Sequence, residues 1–259
     1  MAEITQERAG PKSMVAVAFT ATIFLSASLL FFVQPLFTKM VLPLIGGAPA
    51  VWTTAMLFFQ TVLIAGYLYA HVSTRYLPGK VQVGLHVALW AVALLTLPLA
   101  VKEAWAPKAS TSPIWQTLAI YALGVGLPFA VLSANAPLLQ HWYSKTKGPS
   151  ANDPYFLYGA SNLGSLLALI GFPLLAEPLF GARDISSAWS IGFVVFGGGL
   201  LLCGFMQRTR GAEAKVLDKI NVPAPAPATK TIVYWLFLAF VPSSLMLACL
   251  LYTSDAADE

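Results

Sequence analysis

The hydrophobic residues of this chain form long uncharged runs, and the charged residues are concentrated between them. The first run, residues 15–37, holds 23 residues without a formal charge. About 20 apolar residues are enough for a helix to cross the hydrocarbon core of a bilayer. The same test finds six further runs, at residues 51–70, 81–101, 114–139, 155–176, 185–206 and 231–252. The pattern predicts about seven transmembrane segments.

Helices are the structure that these runs predict. Each run is long enough to cross as a helix, and none shows the alternating ten-residue pattern of membrane barrel strands. Capping residues agree with two of the limits: Asp153 precedes the fifth run and Asp184 precedes the sixth. The sequence therefore predicts an all-α integral membrane protein whose first partner is the lipid bilayer.

Composition supports the same class. Hydrophobic residues make up 58% of the 259 residues and charged residues only 10%, whereas soluble domains carry about 25% charged residues. The net charge of +4 is explained by basic loops that hold the topology of the chain. No nucleic-acid partner is needed to account for it.

The basic residues are divided unequally between the two sets of loops. One set holds eleven: Arg8, Lys12, Arg75, Lys80, Lys145, Lys147, Arg208, Arg210, Lys215, Lys219 and Lys230. The other set holds four: Lys39, Lys102, Lys108 and Arg183. Because cytoplasmic loops carry the excess of lysine and arginine, the amino terminus is predicted to be cytoplasmic, in a multi-pass protein of the cell inner membrane.

The runs and loops predict four regions along the chain. Residues 1–14 form a cytoplasmic amino terminus and residues 15–206 a six-helix transmembrane domain. Residues 207–230, "QRTRGAEAKVLDKINVPAPAPATK", read as a basic linker that ends in an extended Pro-Ala run. A seventh span follows at residues 231–252.

Four stretches carry a family resemblance: "VQPLFTKMVLPLIGGAPAVWTTAMLFFQTVLIAGYLYAH" (33–71), "SANAPLLQHWYS" (133–144), "DPYFLYGASNLGSLLALIGFPLLAEP" (153–178) and "VYWLFLAFVPSSLMLA" (233–248). They look like the membrane part of fused major-facilitator/spermidine-synthase-like bacterial proteins. The resemblance implies a six-helix major-facilitator-like bundle with a truncated seventh span. It also implies partners that would follow in the chain, namely further membrane helices and a soluble aminopropyltransferase-like domain.

The last eleven residues depart from that pattern. They read "CLLYTSDAADE", which resembles translated sequencing-adapter readthrough. Residues 249–259 are therefore expected to be non-native and the chain to be an amino-terminal fragment. The alternative is a genuine short acidic terminus.

No catalytic constellation appears in the sequence. Aminopropyl transfer needs a Gly-rich turn after a strand, whereas Gly124 and Gly126 lie within an apolar helical run. No enzyme activity, cofactor or metal is predicted for the chain as given. Two functions stay open: transport or channelling of polyamine-like cationic solutes, and a non-transporting membrane anchor for the synthase-like domain.

Polar side chains within the spans are the candidate functional residues, because such groups are costly when they face lipid. Gln34 precedes Pro35, which predicts a broken helix lined by Gln34, with Lys39 at the outer mouth. The alternative is that Gln34 pairs with a neighbouring helix and that Lys39 extends to the membrane interface.

The fifth span carries a polar stripe. Tyr155, Tyr158, Asn162 and Ser165 fall within an arc of roughly 80° on one helix face. The stripe is predicted to face inward, either lining a solute path or joining helices. Gly164 belongs to a small-xxx-small pair that predicts close helix contact.

The remaining candidates lie on other spans. They are Gln60 on the second span, Asn135 and Gln140 near the inner end of the fourth, and Glu177 just beyond the fifth. Glu177 is predicted either to attract a small cationic solute on the outer side or to cap a helix at the interface.

Overall fold

The part of the chain that the structure describes is helical and contains no β-strand. The structure is a computed structural model, and it describes residues 11–46, 49–105, 113–146, 148–151, 153–214 and 228–255. The chain divides into two compact units, residues 1–216 and 217–259. Among the described residues, six helical segments are long and apolar enough to cross a membrane. The predicted helical class is confirmed, and the six segments are compatible with a multi-pass membrane protein.

The first unit contains eight α-helices that form the six segments. They are α1 (Pro11–Ile45), α2 (Pro49–Tyr76), α3 (Gly79–Ala93), α4 (Pro113–Tyr121), α5 (Leu127–Ser144), α6 (Phe156–Gly171), α7 (Glu177–Leu179) and α8 (Ala182–Ala214). A π-helical segment, Ala122–Gly126, joins α4 to α5 as the fourth span. A second one, Phe172–Ala176, joins α6 to α7 as the fifth.

Helix α1 is continuous through Pro35 and Pro43, so the predicted broken helix at Gln34 is wrong. Side chains near Pro35 donate hydrogen bonds to backbone carbonyls. The Thr38 hydroxyl donates to the Gln34 carbonyl at 2.8 Å. The Gln34 side chain donates in turn to the Leu30 carbonyl at 3.4 Å. Such bonds, together with packing by neighbouring helices, allow proline inside a membrane helix.

The third span is shorter than predicted. It was expected to reach residue 101, but α3 passes into a 3₁₀ turn, Leu94–Thr96, and the helix ends there. The α conformation is disfavoured for a residue that precedes proline, and Leu97 precedes Pro98. The helix therefore stops one turn earlier than its apolar composition indicates.

The sixth apolar span covers Ala182–Gln207, close to the predicted residues 185–206, but its helix is longer. Helix α8 continues to Ala214, through the first residues of the expected linker. The Pro-Ala run lies almost entirely outside the described residues. The second unit contains α9 (Thr229–Asp255), which includes the first residues of the tail expected to be non-native. Its described apolar part, Thr229–Leu245, is shorter than the other six spans, so the seventh span stays a prediction.

The first and fourth spans lie at the centre of the first unit. Helix α1 packs chiefly against α6 and α8, while α4 and α5 pack chiefly against α2. Helix α5 also packs against α3. The two central spans also contact each other through α1 and α5. The first three spans and the last three spans thus each contribute one central span, which packs against the two outer spans of the other group.

Close approach of α1 and α6 depends on Gly164. A Cβ atom at this position would lie 2.5 Å from the Phe24 carbonyl oxygen of α1. The Ser28 hydroxyl, also on α1, donates to the Phe24 carbonyl at 2.9 Å and lies 3.2 Å from the Gly164 carbonyl. The close contact predicted for the small residue at 164 is confirmed.

Candidate functional site

The polar stripe of α6 lies on the exposed surface of the bundle. Tyr155 is 73% exposed, Tyr158 is 52% exposed, Asn162 is exposed and Ser165 is partly exposed. The predicted inward orientation is therefore wrong. Helix α6 instead buries Leu157, Gly164 and Ala168, because its small residues allow the closest approach to α1 and turn the polar stripe away from the core.

The stripe is organised along its own helix. The rings of Tyr155 and Tyr158 stack with their centroids 6.1 Å apart. The Ser165 hydroxyl donates to the Asn162 backbone carbonyl at 2.9 Å. The Asn162 side-chain amide bonds to none of the described residues, so both its oxygen and its nitrogen are available to a ligand.

Helix α2 carries a second exposed polar stripe. Gln60, Tyr67 and His71 are all exposed, and their spacings of seven and four residues place them within an arc of about 40°. Sequence reasoning selected Gln60 and missed Tyr67, because a tyrosine in an apolar run reads as an aromatic packing residue. The seven-residue spacing from Gln60 to Tyr67 was the available signal.

Exposed tyrosines occur in both stripes. Tyr67 of α2 is 53% exposed and Tyr158 of α6 is 52% exposed. We call the combined surface the tyrosine face and define it as Gln60, Tyr67, Tyr155, Tyr158 and Asn162. Its residues come from two helices that are far apart in the sequence.

The chemistry of the tyrosine face is neutral, aromatic and hydrogen-bonding. Polar groups without partners are costly in hydrocarbon, and polar side chains within membrane spans therefore face the bundle interior or a water-filled cavity. Aromatic rings attract organic cations through their negative faces, and amide oxygens accept hydrogen bonds from ammonium groups. The face can therefore contact a small organic amine.

Lys39 and Glu177, two residues selected separately from the sequence, form an ion pair. The Lys39 ammonium lies 2.8 Å from a Glu177 carboxylate oxygen and links α1 to α7. Their side chains are 38% and 43% exposed, so the pair contributes only about 0–1 kcal/mol to stability. A solute cation at Glu177 must compete with Lys39, a constraint that the sequence did not reveal.

Asn135 lies inside the bundle. It is fully buried, and neither its amide oxygen nor its amide nitrogen has a hydrogen-bond partner among the described residues. Asn135 is a substrate-binding or pore-lining candidate from the sequence, and α5 turns it toward the core. Gln34 and Gln140 are partly exposed, and neither belongs to the tyrosine face.

A buried polar cluster joins α2, α3 and α5. The Trp142 indole donates to the Gln82 side-chain oxygen at 2.9 Å, and the Gln82 nitrogen donates to the Leu77 carbonyl at 2.8 Å. The His86 ring stacks on Tyr69 with centroids 5.9 Å apart and is fully buried. This cluster fixes the three helices at the end of the bundle where α3 begins.

Comparison with known protein families, curated proteins and solved structures found no match for the chain. The resemblance to the fused major-facilitator/spermidine-synthase-like family therefore stays a prediction that depends on the residues themselves.

Proposed function

We propose that this chain is a membrane-embedded helical bundle that forms one wall of a path for small organic cations, with polyamine-like amines as the solute class. The observation that carries the proposal is the tyrosine face, an exposed polar surface spread over two spans. Polar groups are costly when they face lipid, so their exposure here supports a water-filled path. The aromatic and amide composition of the face favours an amine over an anion.

The packing of the spans supports a major-facilitator-like arrangement. In that class, each six-span half is built from two three-helix repeats of inverted topology. Here α1, from the first group of three spans, packs against α6 and α8 of the second group. Helix α5, from the second group, packs against α2 and α3 of the first. On this proposal the second half and the synthase-like domain named by the resemblance are partners. The excess of basic residues on one side orients the amino terminus toward the cytoplasm.

A second function, a non-transporting anchor, is favoured by one specific observation. Glu177, the acid selected for cation binding, is paired with Lys39, and the tyrosine face itself contains no carboxylate. Recognition of a multiply charged amine usually requires an acidic partner in the membrane. If that partner is absent from the whole protein, the bundle tethers an enzyme and moves nothing.

Flux measurement separates the two functions. The full-length protein, with the second half that this proposal requires, is purified and reconstituted into vesicles. Uptake of labelled spermidine, putrescine and a neutral sugar is compared with protein-free vesicles. We expect uptake of at least one amine above background and no uptake of the sugar, because the tyrosine face selects cations. Absence of flux for both amines, with the protein shown to be inserted, would favour the anchor.

A further inference from the structure

A separate groove runs along the outside of α1, between α6 and α8. It has a volume of about 590 Å³, and its apolar lining includes Leu29, Phe32, Leu167, Ile185 and Ala188. Leu167 follows Asn162 by five residues, which places it about 140° around α6 from the tyrosine face. The groove is therefore a different surface from the proposed solute path.

The polar groups in the walls and floor of the groove are already paired. The Ser28 hydroxyl donates to the Phe24 carbonyl at 2.9 Å. The Trp189 indole donates to the Leu29 carbonyl at 3.0 Å. Because these donors are satisfied within the helices, the surface that they leave in the groove is apolar and suits a hydrocarbon chain.

The edge of the groove carries a carboxylate. Asp184 lines the groove, is exposed and makes no ion pair with any described lysine or arginine. It lies in the first turn of α8, whose apolar span begins at Ala182, so the carboxylate sits where the span reaches the membrane boundary. Lys39, the basic residue at the end of α1 on the same side, is held by Glu177.

We propose that this groove binds one phospholipid with a primary ammonium headgroup, with an acyl chain in the groove and the ammonium on Asp184. The volume falls within the range of about 300–1,000 Å³ that is common for ligand pockets. A primary ammonium donates hydrogen bonds to a carboxylate. A choline headgroup has no N–H donor, and an anionic glycerol headgroup is repelled by the aspartate. Charge complementarity at the edge thus selects among lipids whose chains are identical.

Native mass spectrometry of the detergent-purified protein tests the proposal with ethanolamine, choline and glycerol phospholipids that share the same acyl chains. We expect the protein to retain the ethanolamine lipid about two- to fivefold more than the other two, as an exposed ion pair allows. Asp184→Asn should abolish that preference, and Asp184→Glu should preserve it. The matched control is Asp153→Asn, which changes an exposed aspartate at the other end of the bundle and should leave the preference intact.

A second variant tests the acyl-chain site. Ala188→Phe fills the groove and should reduce retention of all three lipids, while thermal unfolding confirms that the bundle stays folded. Equal retention of the three lipids by the unmutated protein would overturn the proposal. Unchanged preference in Asp184→Asn, or displacement of the lipid by chain-free ethanolamine at equal concentration, would overturn it too. Loss of a protein dimer in Ala188→Phe, without loss of lipid, would assign the groove to a second copy instead.

Discussion

Asn162→Leu should lower amine flux by about ten- to a hundredfold, because a hydrogen bond to a charged group contributes roughly 1.5–3 kcal/mol and leucine offers no replacement. The amount of folded protein should not change. The Asn162 side chain is exposed and bonds to no described residue. Even an interhelical hydrogen bond in a membrane averages only about 0.6 kcal/mol. Flux is measured with labelled putrescine in vesicles, beside the amount of inserted protein.

The matched control for Asn162→Leu is Ile170→Val on the same helix. Ile170 is exposed and lies about 80° around α6 from Asn162, on its apolar side. This variant should leave both flux and protein amount unchanged. If Asn162→Leu transports as fast as the unmutated protein, the α6 stripe does not contact the solute, and the proposed path is wrong.

Gly164→Ala should lower the free energy of unfolding of the bundle by about 1–3 kcal/mol, the usual cost of overpacking. The new methyl group would meet the Phe24 carbonyl oxygen, which belongs to a helix backbone and cannot move like the end of a flexible side chain. Either α6 shifts away from α1 or the contact stays strained. Thermal or denaturant unfolding in one detergent measures the effect.

Gly159→Ala is the control for that substitution. Gly159 lies in the same helix, and an added Cβ would meet nothing within 4 Å. Alanine is the better helix former by about 1 kcal/mol, so this variant should be as stable as the parent or more stable. Equal loss of stability in both variants would mean that the close α1–α6 contact is not the cause.

The helical spans could be predicted from the sequence because membrane helices depend on local composition. The ends of the spans depend on more than composition. The apolar run to residue 101 indicated a longer third span, but Pro98 stopped the helix, whereas Pro35 did not stop α1. The two prolines differ in their surroundings. Pro35 lies in a central helix that neighbouring helices contact on several sides, and the Thr38 hydroxyl donates to the carbonyl of Gln34, the residue before Pro35.

The polar residues of α6 could be placed on one face of the helix, but the direction of that face could not be predicted. Helical periodicity gave the arc of the stripe, whereas orientation depends on which other face packs best against α1. Gly164 decides that contact. Contacts between residues that are far apart in the sequence could not be predicted either. Lys39 and Glu177 are 138 residues apart, and no local pattern connects them.

Water accessibility of the tyrosine face is the most direct test of the central claim. Single cysteines are placed at Tyr158, Asn162 and, as a control, Val195, in a protein with Cys203 and Cys249 replaced by serine. Val195 of α8 is 59% exposed and apolar. If the face lines a water-filled path, a charged, membrane-impermeant maleimide will label positions 158 and 162 in intact membranes at least tenfold faster than position 195. Equal, slow labelling at all three positions would show that the face is covered by lipid and would contradict the account.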